Sequence, residues 1–326
     1  MPRRTVLLSL LTAGLTAAGL AAAAPANAAL VTYCIGTGGA VTVPNDLYVP
    51  AGESCALTGT IITGNVSVAA GANLVISGGR ISGDLNVAGN GYLDASDTTV
   101  AGPVVLAAGG YGIYLRHATT DTVTVRAKGS TTIDSFLFAE NATVTGNVVV
   151  NAGEVRLDDN TSVEGAVNSS GTYYTDVHDS FVDGALSVLN SSTGSVICGS
   201  SVRGKATFAG NLGGVQLGPN GPLDSCASGG FFGKDVSVTS TTGGVTVDDN
   251  IIDGALTATG NSPVATIAPN NRIRRGVVTD PPAAAAARSA ARAAVPAPRD
   301  DTDTDKADSR RVTAVQEAKA AGPADL

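Results

Sequence analysis

Between Ile62 and Val87 the chain repeats itself, reading Ile-Thr-Gly-Asn-Val-Ser-Val and, nineteen residues later, Ile-Ser-Gly-Asp-Leu-Asn-Val. Taking Val66 as an anchor, the same position recurs at Leu47, Val66, Leu85, Val104, Val123, Val148, Val167, Leu186, Ala206, Val236, Leu256 and Val277. These twelve anchors are mostly 19 to 21 residues apart, with two longer steps of 25 and 30. A period this short constrains the fold more than any other feature. It leaves no room for the helix of a βαβ unit, and one such unit cannot bury an apolar face unless neighbours stack on it.

Each column of the repeat has its own chemistry. Four residues before the anchor lie Val43, Ile62, Ile81, Val100, Val144, Val163 and their equivalents, with Thr119 the one polar member. Two after the anchor the column is again mostly apolar, and between them stands a mostly small polar or β-branched residue: Ser67, Asn86, Val105, Thr124, Val149, Asn168, Ser187, Thr207, Ser237 and Thr257. Apolar, polar, apolar is the pattern of a half-buried strand. A second apolar pair follows later in each unit, as in Leu74 with Ile76 and Val155 with Leu157. Two before the anchor the residue is Gly at 64, 83, 102, 146, 165, 184, 204 and 254, which predicts a corner with positive φ. The expected fold is all-β: a single-stranded parallel β-helix, or β-solenoid, of about twelve coils of about 19 residues over 41–279.

These G-[ND]-[VL]-x-V repeats resemble those of right-handed parallel β-helix proteins, both the secreted pectin-lyase-like group and the bactofilins. The resemblance covers residues 41–279 and lies in the repeats alone. It implies a right-handed helix and, from the pectin-lyase-like side, a polysaccharide lyase or hydrolase as one candidate activity.

The flanks differ in kind. Arg3 and Arg4 precede an apolar stretch from Val6 to Ala23, and Pro25-Ala26-Asn27-Ala28 supplies an A-x-A cleavage spacing, so residues 1–28 read as a signal peptide. Residues 29–40 are expected to form an N-terminal cap. Residues 280–326, rich in Ala, Pro and charge and without aromatic residues, are expected to be a disordered tail. The resulting localisation is secreted, extracellular or cell-surface associated. Of the 20 basic residues, two fall in 1–28, leaving 18 against 28 acidic ones and a net charge of −10. An acidic chain of this kind is a poor nucleic-acid binder, and no membrane contact is expected after signal cleavage.

An exported chain with four cysteines and no Cys-x-x-Cys predicts two disulfides, with no metal and no other cofactor. The repeat selects the pairing. Cys34 and Cys55 fall near one corner of successive coils, as do Cys198 and Cys226, whereas Cys55 and Cys198 are about seven coils apart.

Few residues invite a chemical reading. Tyr92 and Tyr111 both lie seven past their anchors and should stack, with Tyr114, Arg116 and His117 beside them, forming a candidate sugar-stacking surface. Glu164, Asp183 and Arg203, followed by Asp253 and Arg274, form a column three before the anchor. By resemblance to pectate lyases such a column would be catalytic; by its periodicity it is a surface charge ladder, and that reading is preferred. Asp158-Asp159-Asn160 and Asp248-Asp249-Asn250 read as turns, and His117 and His178 as separate exposed turn histidines. Insertions around Ser135 to Phe138 and Asn220 to Gly230 are either functional loops or covers for the coil beneath. The expected function is that of a secreted structural or surface-interaction protein without catalytic activity. Its partners would be cell-surface polysaccharide or further copies of itself, and the alternative is the lyase or hydrolase.

Overall fold

The computed structural model describes residues 30–281 and 302–326; the signal-peptide reading and most of the linker to the C-terminus lie outside the described residues. The repeats build a parallel β-solenoid. Three parallel sheets run along it: face A with 13 strands and faces B and C with 12 each. The anchor column is the register of face A: Leu47 pairs with Val66, Val66 with Leu85, and so on to Leu256 with Val277, across both long steps. Face C carries the column four before the anchor, with Ile62 against Ile81 and Val202 against Phe232. Face B carries the second apolar pair, with Leu74 against Leu93 and Ile76 against Ala95. The three inward columns merge into one core that runs the length of the stack.

Where the core columns turn polar, some members satisfy one another, whereas Thr120 Oγ1 and Ser195 Oγ are buried without a hydrogen-bond partner among the described residues. Ser169 Oγ lies 2.8 Å from Thr172 Oγ1 and 2.7 Å from Thr175 Oγ1, a buried hydroxyl trio in place of an apolar layer. Asn211 and Asn261 accept backbone N–H groups of the preceding coil and donate to the carbonyls of Val188 and Val238. Such ladders satisfy corner groups that the sheets leave unpaired. Both disulfides have the expected pairing, with Cα atoms 5.6 Å apart for Cys34–Cys55 and 5.7 Å for Cys198–Cys226.

Four expectations need correction. The glycine column two before the anchor does not have positive φ. Its glycines are needed because consecutive coils nearly touch there: a Cβ on Gly83 would lie 2.8 Å from the Gly64 carbonyl oxygen. Left-handed backbone occurs instead at the corners flanking face B, where Gly78, Asp97, His117 and Asn141 follow the strands. Thr120, not Thr119, fills the inward position of face C, pairing with Val100.

Residues 29–40 are more than a cap. Val31–Tyr33 joins face A and Gly36–Gly38 joins face B as a further partial coil. Its pattern is inverted, with Val31 and Tyr33 exposed and Thr32 opposite Leu47, so it carries no inward apolar pair of the kind the other coils share.

The expected tail is corrected for its last 25 residues. Thr302–Ala321 forms a helix, α1, that packs on the outer surface of face B against the strands Gly36–Gly38, Ser54–Thr58 and Asn73–Ser77. Beyond it, Thr37 N donates to Gly322 O and Ala324 N donates to Thr37 O, each at 2.8 Å, so the C-terminal residues pair with the first strand of face B. Ala324 and Leu326 pack against the core. The edge that would otherwise accept a foreign strand is thereby covered.

Candidate functional site: the outer surface of face B

Outward residues on the three faces meet different surroundings. On face A they are exposed or half-buried, as at Ser67, Asn86 and Thr124. On face B even outward positions are buried, and there the aromatic and ionisable residues gather.

Toward the N-terminal half, Tyr92, Tyr114, Phe136 and Phe138 form a buried cluster with Tyr111 packed against it. Tyr111 does not stack directly on Tyr92. The register pairs Tyr92 with Gly112, and the Tyr111 ring meets Tyr92 edge-on, with centroids 5.9 Å apart. Phe136 and Phe138, assigned to an insertion in the sequence reading, belong to the strand Phe136–Glu140 and stack at 4.5 Å. The extra residues of that coil precede the strand.

Beneath the rings lies an ionic network. Arg116 Nη2 donates to both oxygens of the wholly buried Asp94 at 2.7 Å, and its guanidinium sits 4.4 Å from the centroid of Tyr114. Tyr92 Oη donates to Asp94 Oδ2 at 2.9 Å, and Tyr114 Oη donates to Glu140. Burial, then the neighbouring carboxylates, pushes both tyrosine hydroxyls well above their ordinary range: Asp94 acts on Tyr92 and Glu140 on Tyr114. For Arg116 burial opposes the charge, but Asp94 with the two tyrosines more than offsets it, so the guanidinium is held even more firmly protonated.

Helix α1 occupies this surface. Tyr92 Oη and Tyr111 Oη donate to the carbonyls of Ala307 and Lys306, each at 3.2 Å. Arg310 lies 4.8 Å from the Tyr111 ring centroid and donates to Asn73 Oδ1 at 2.7 Å, and Ser54 Oγ donates to Glu317 at 2.7 Å. Thus Tyr92, Tyr111, Tyr114 and Arg116 do come together, but under a segment of their own chain. His117 stands apart at an exposed corner with φ +50°, 3.9 Å from Asp97.

Farther along face B are Glu154 and Arg156, a buried ion pair with Arg156 over the Phe138 ring at 4.7 Å. Beyond them lie Asp176 and His178, over which the second insertion places Asp224. Leu223 of that insertion is buried with Tyr174 and Val196, so the loop does cover the coil beneath. Asp176, His178 and Asp224 each present one nitrogen or oxygen within 4.8 Å of the others.

The charge column is where its periodicity put it, on the surface. Arg203 Nη1 lies 3.2 Å from Asp183 Oδ1 and Arg274 Nε 3.2 Å from Asp253 Oδ1; both arginines are more than 70% exposed and Glu164 is exposed too. The acidic doublets are turns, with Asp159, Asn160 and Asp249 at positive φ. A groove of about 790 Å³ lies elsewhere, lined by Ser200, Gly229 and Asn250, with Asp249 and Arg272 its only charged residues. It has none of the convergent acid and base chemistry of face B.

No family model, curated protein or solved structure matches this chain. The repeat-level likeness to parallel β-solenoids therefore carries the fold and nothing about activity. The two disulfides fit an oxidising environment, and among the described residues no helix is long and apolar enough to cross a membrane.

Proposed function

We propose that this is an exported, extracellular structural or surface-interaction solenoid that presents face A to cell-surface polysaccharide or to other copies of itself. The supporting observation is the contrast between faces. Face A offers thirteen strands in continuous register with an uncharged outward column that, after Tyr48, consists of small polar or β-branched side chains: Ser67, Asn86, Val105, Thr124, Val149, Asn168, Ser187 and Thr207. Such a surface is rigid, repeats at about 4.8 Å and can meet a periodic partner at many equivalent points.

Export rests on the sequence of residues 1–28 and is supported by the disulfides. The lyase or hydrolase reading draws support from one observation: on face B, carboxylates converge with Arg156 and His178. Against it stands burial, since Asp94, Glu154, Arg156 and Asp176 are all at most 2% exposed and offer a polymer no open groove.

The test is a panel of acidic and neutral polysaccharides with calcium present, read both for retention of the full chain and for new unsaturated or reducing ends. Retention or self-association without new ends is expected, weakened by Ser67→Lys with Asn86→Lys. New ends would favour the enzyme; neither retention nor self-association would remove the proposal.

A further inference from the structure

We propose that Asp176, His178 and Asp224 form a binding site for a borderline divalent cation of the Zn²⁺ type, which clasps the Asn220–Gly230 insertion to face B. The sequence reading expected no metal, and it placed His178 alone in an exposed turn.

The donor set comes first. Asp176 and His178 are two apart on the strand Tyr174–His178 and therefore project from the same side of the sheet. Asp224 comes from 46 residues farther along the chain. One imidazole nitrogen and two carboxylate oxygens lie within 4.8 Å of one another, with His178 Nδ1 3.9 Å from Asp224 Oδ2. That is too long for a hydrogen bond. His178 Nδ1 and Asp224 Oδ2 are both shut off from solvent and have no hydrogen-bond partner among the described residues. With Nδ1 unprotonated, the pair is two desolvated acceptors facing each other, a costly arrangement that a cation between them relieves.

Positioning comes second. His178 lies opposite Cys198 in the sheet register, and the Cys198–Cys226 disulfide anchors the insertion two residues after Asp224. Gln216, 1% exposed, holds Asp224 at both backbone groups, donating to its carbonyl at 2.8 Å and accepting its N–H at 3.2 Å. Ser225 N donates to Asp224 Oδ1 at 2.7 Å, which turns Oδ2 toward His178. On the far side of the imidazole, Asp179 Oδ2 lies 3.7 Å from Nε2, a carboxylate close by that a small ring movement would bring within reach of the Nε2 proton when Nδ1 binds metal. Support of this kind, outside the ligands themselves, is what metal-binding histidines require. Imidazole with carboxylates suits Zn²⁺ better than the all-oxygen shells of Ca²⁺ or Mg²⁺, and three protein ligands leave a fourth position for water.

The test uses the full, oxidised chain after chelator treatment, titrated with Zn²⁺ by calorimetry. Saturable binding at a single site is expected, with Mg²⁺ failing to compete. Asp224→Asn and His178→Ala should each weaken binding at least about tenfold, while His117→Ala leaves it unchanged. Should either of the first two variants misfold, the wild-type chain still decides: Zn²⁺ should protect His178, but not His117, from diethyl pyrocarbonate, since metal on Nδ1 leaves Nε2 protonated and unreactive. Absence of saturable binding, folded variants that bind Zn²⁺ as the wild type does, or equal labelling of both histidines with and without Zn²⁺ would each overturn the proposal.

Discussion

Faces A and B are built from the same repeat and the same backbone register, yet their outward columns differ completely. Face A shows solvent Ser67, Asn86 and Asn168; face B buries Tyr92, Asp94, Tyr114 and Phe138, with α1 seated on Tyr92 through Ala307. The inward columns cannot account for this, since both faces bury Val, Leu and Ile toward the one core. In a solenoid, inward residues specify the coil, and outward residues record what the coil meets. On face B the coil meets the chain's own C-terminus, and the large side chains there are paired and hydrogen-bonded as in a second small core.

The comparison can be broken first at Asp94. Asp94→Ala leaves the Arg116 guanidinium, 17% exposed, without its carboxylate and removes an acceptor from Tyr92. A loss of about 3–5 kcal/mol in denaturant unfolding is expected. If face B were an ordinary solvated face, the loss would be a fraction of that.

Alkaline pH acts on the same place without mutation. The folded state holds the Tyr92 and Tyr114 hydroxyls protonated above their ordinary range, whereas the unfolded chain releases these protons near pH ~10. The stabilisation is therefore fully present below that pH and is lost as pH rises beyond it. The unfolding midpoint should fall above pH ~10, and Tyr92→Phe with Tyr114→Phe should blunt the fall; a midpoint indifferent to pH there would contradict the burial.

Smaller effects sharpen the contrast. Arg310→Ala removes the contact with Tyr111 and the hydrogen bond to Asn73, and should cost about 1–2 kcal/mol. Arg203→Ala, on the exposed ladder, should cost at most about 1 kcal/mol and leave polysaccharide retention unchanged. Asn86→Ala, in the open column of face A, should stay within about 0.5 kcal/mol. A cost at Asn86 equal to that at Arg310 would mean that face A is covered too.

What could be read from the sequence follows the same division. The anchor column held at every step from Leu47 to Val277, even across the 30-residue coil, because every anchor side chain is apolar whatever lies in the loops. The disulfides followed from that register. The cover of face B was not legible. Among the described side chains of helix α1 the buried ones are alanines, Ala307, Ala314 and Ala318, and it holds on through Arg310, Arg311 and Glu317, so its composition reads as a solvated tail. The Asp176, His178 and Asp224 cluster was hidden because its members meet only through the insertion that Cys226 and Gln216 fold back. Phe136 and Phe138 could have been found: aligning their strand with Gly112–Arg116 puts them in the Tyr92 and Tyr114 columns.

The contrast between a free face and a self-covered one is tested most directly by tyrosine labelling of the native chain. Tyr33 on face A is 61% exposed, whereas Tyr92 and Tyr114 on face B are 0% and 4% exposed. With a tyrosine-nitrating reagent and peptide mapping, Tyr33 should label readily while Tyr92 and Tyr114 stay protected until the chain unfolds. Labelling of Tyr92 and Tyr114 in the native protein as fast as Tyr33 would show that α1 does not cover face B.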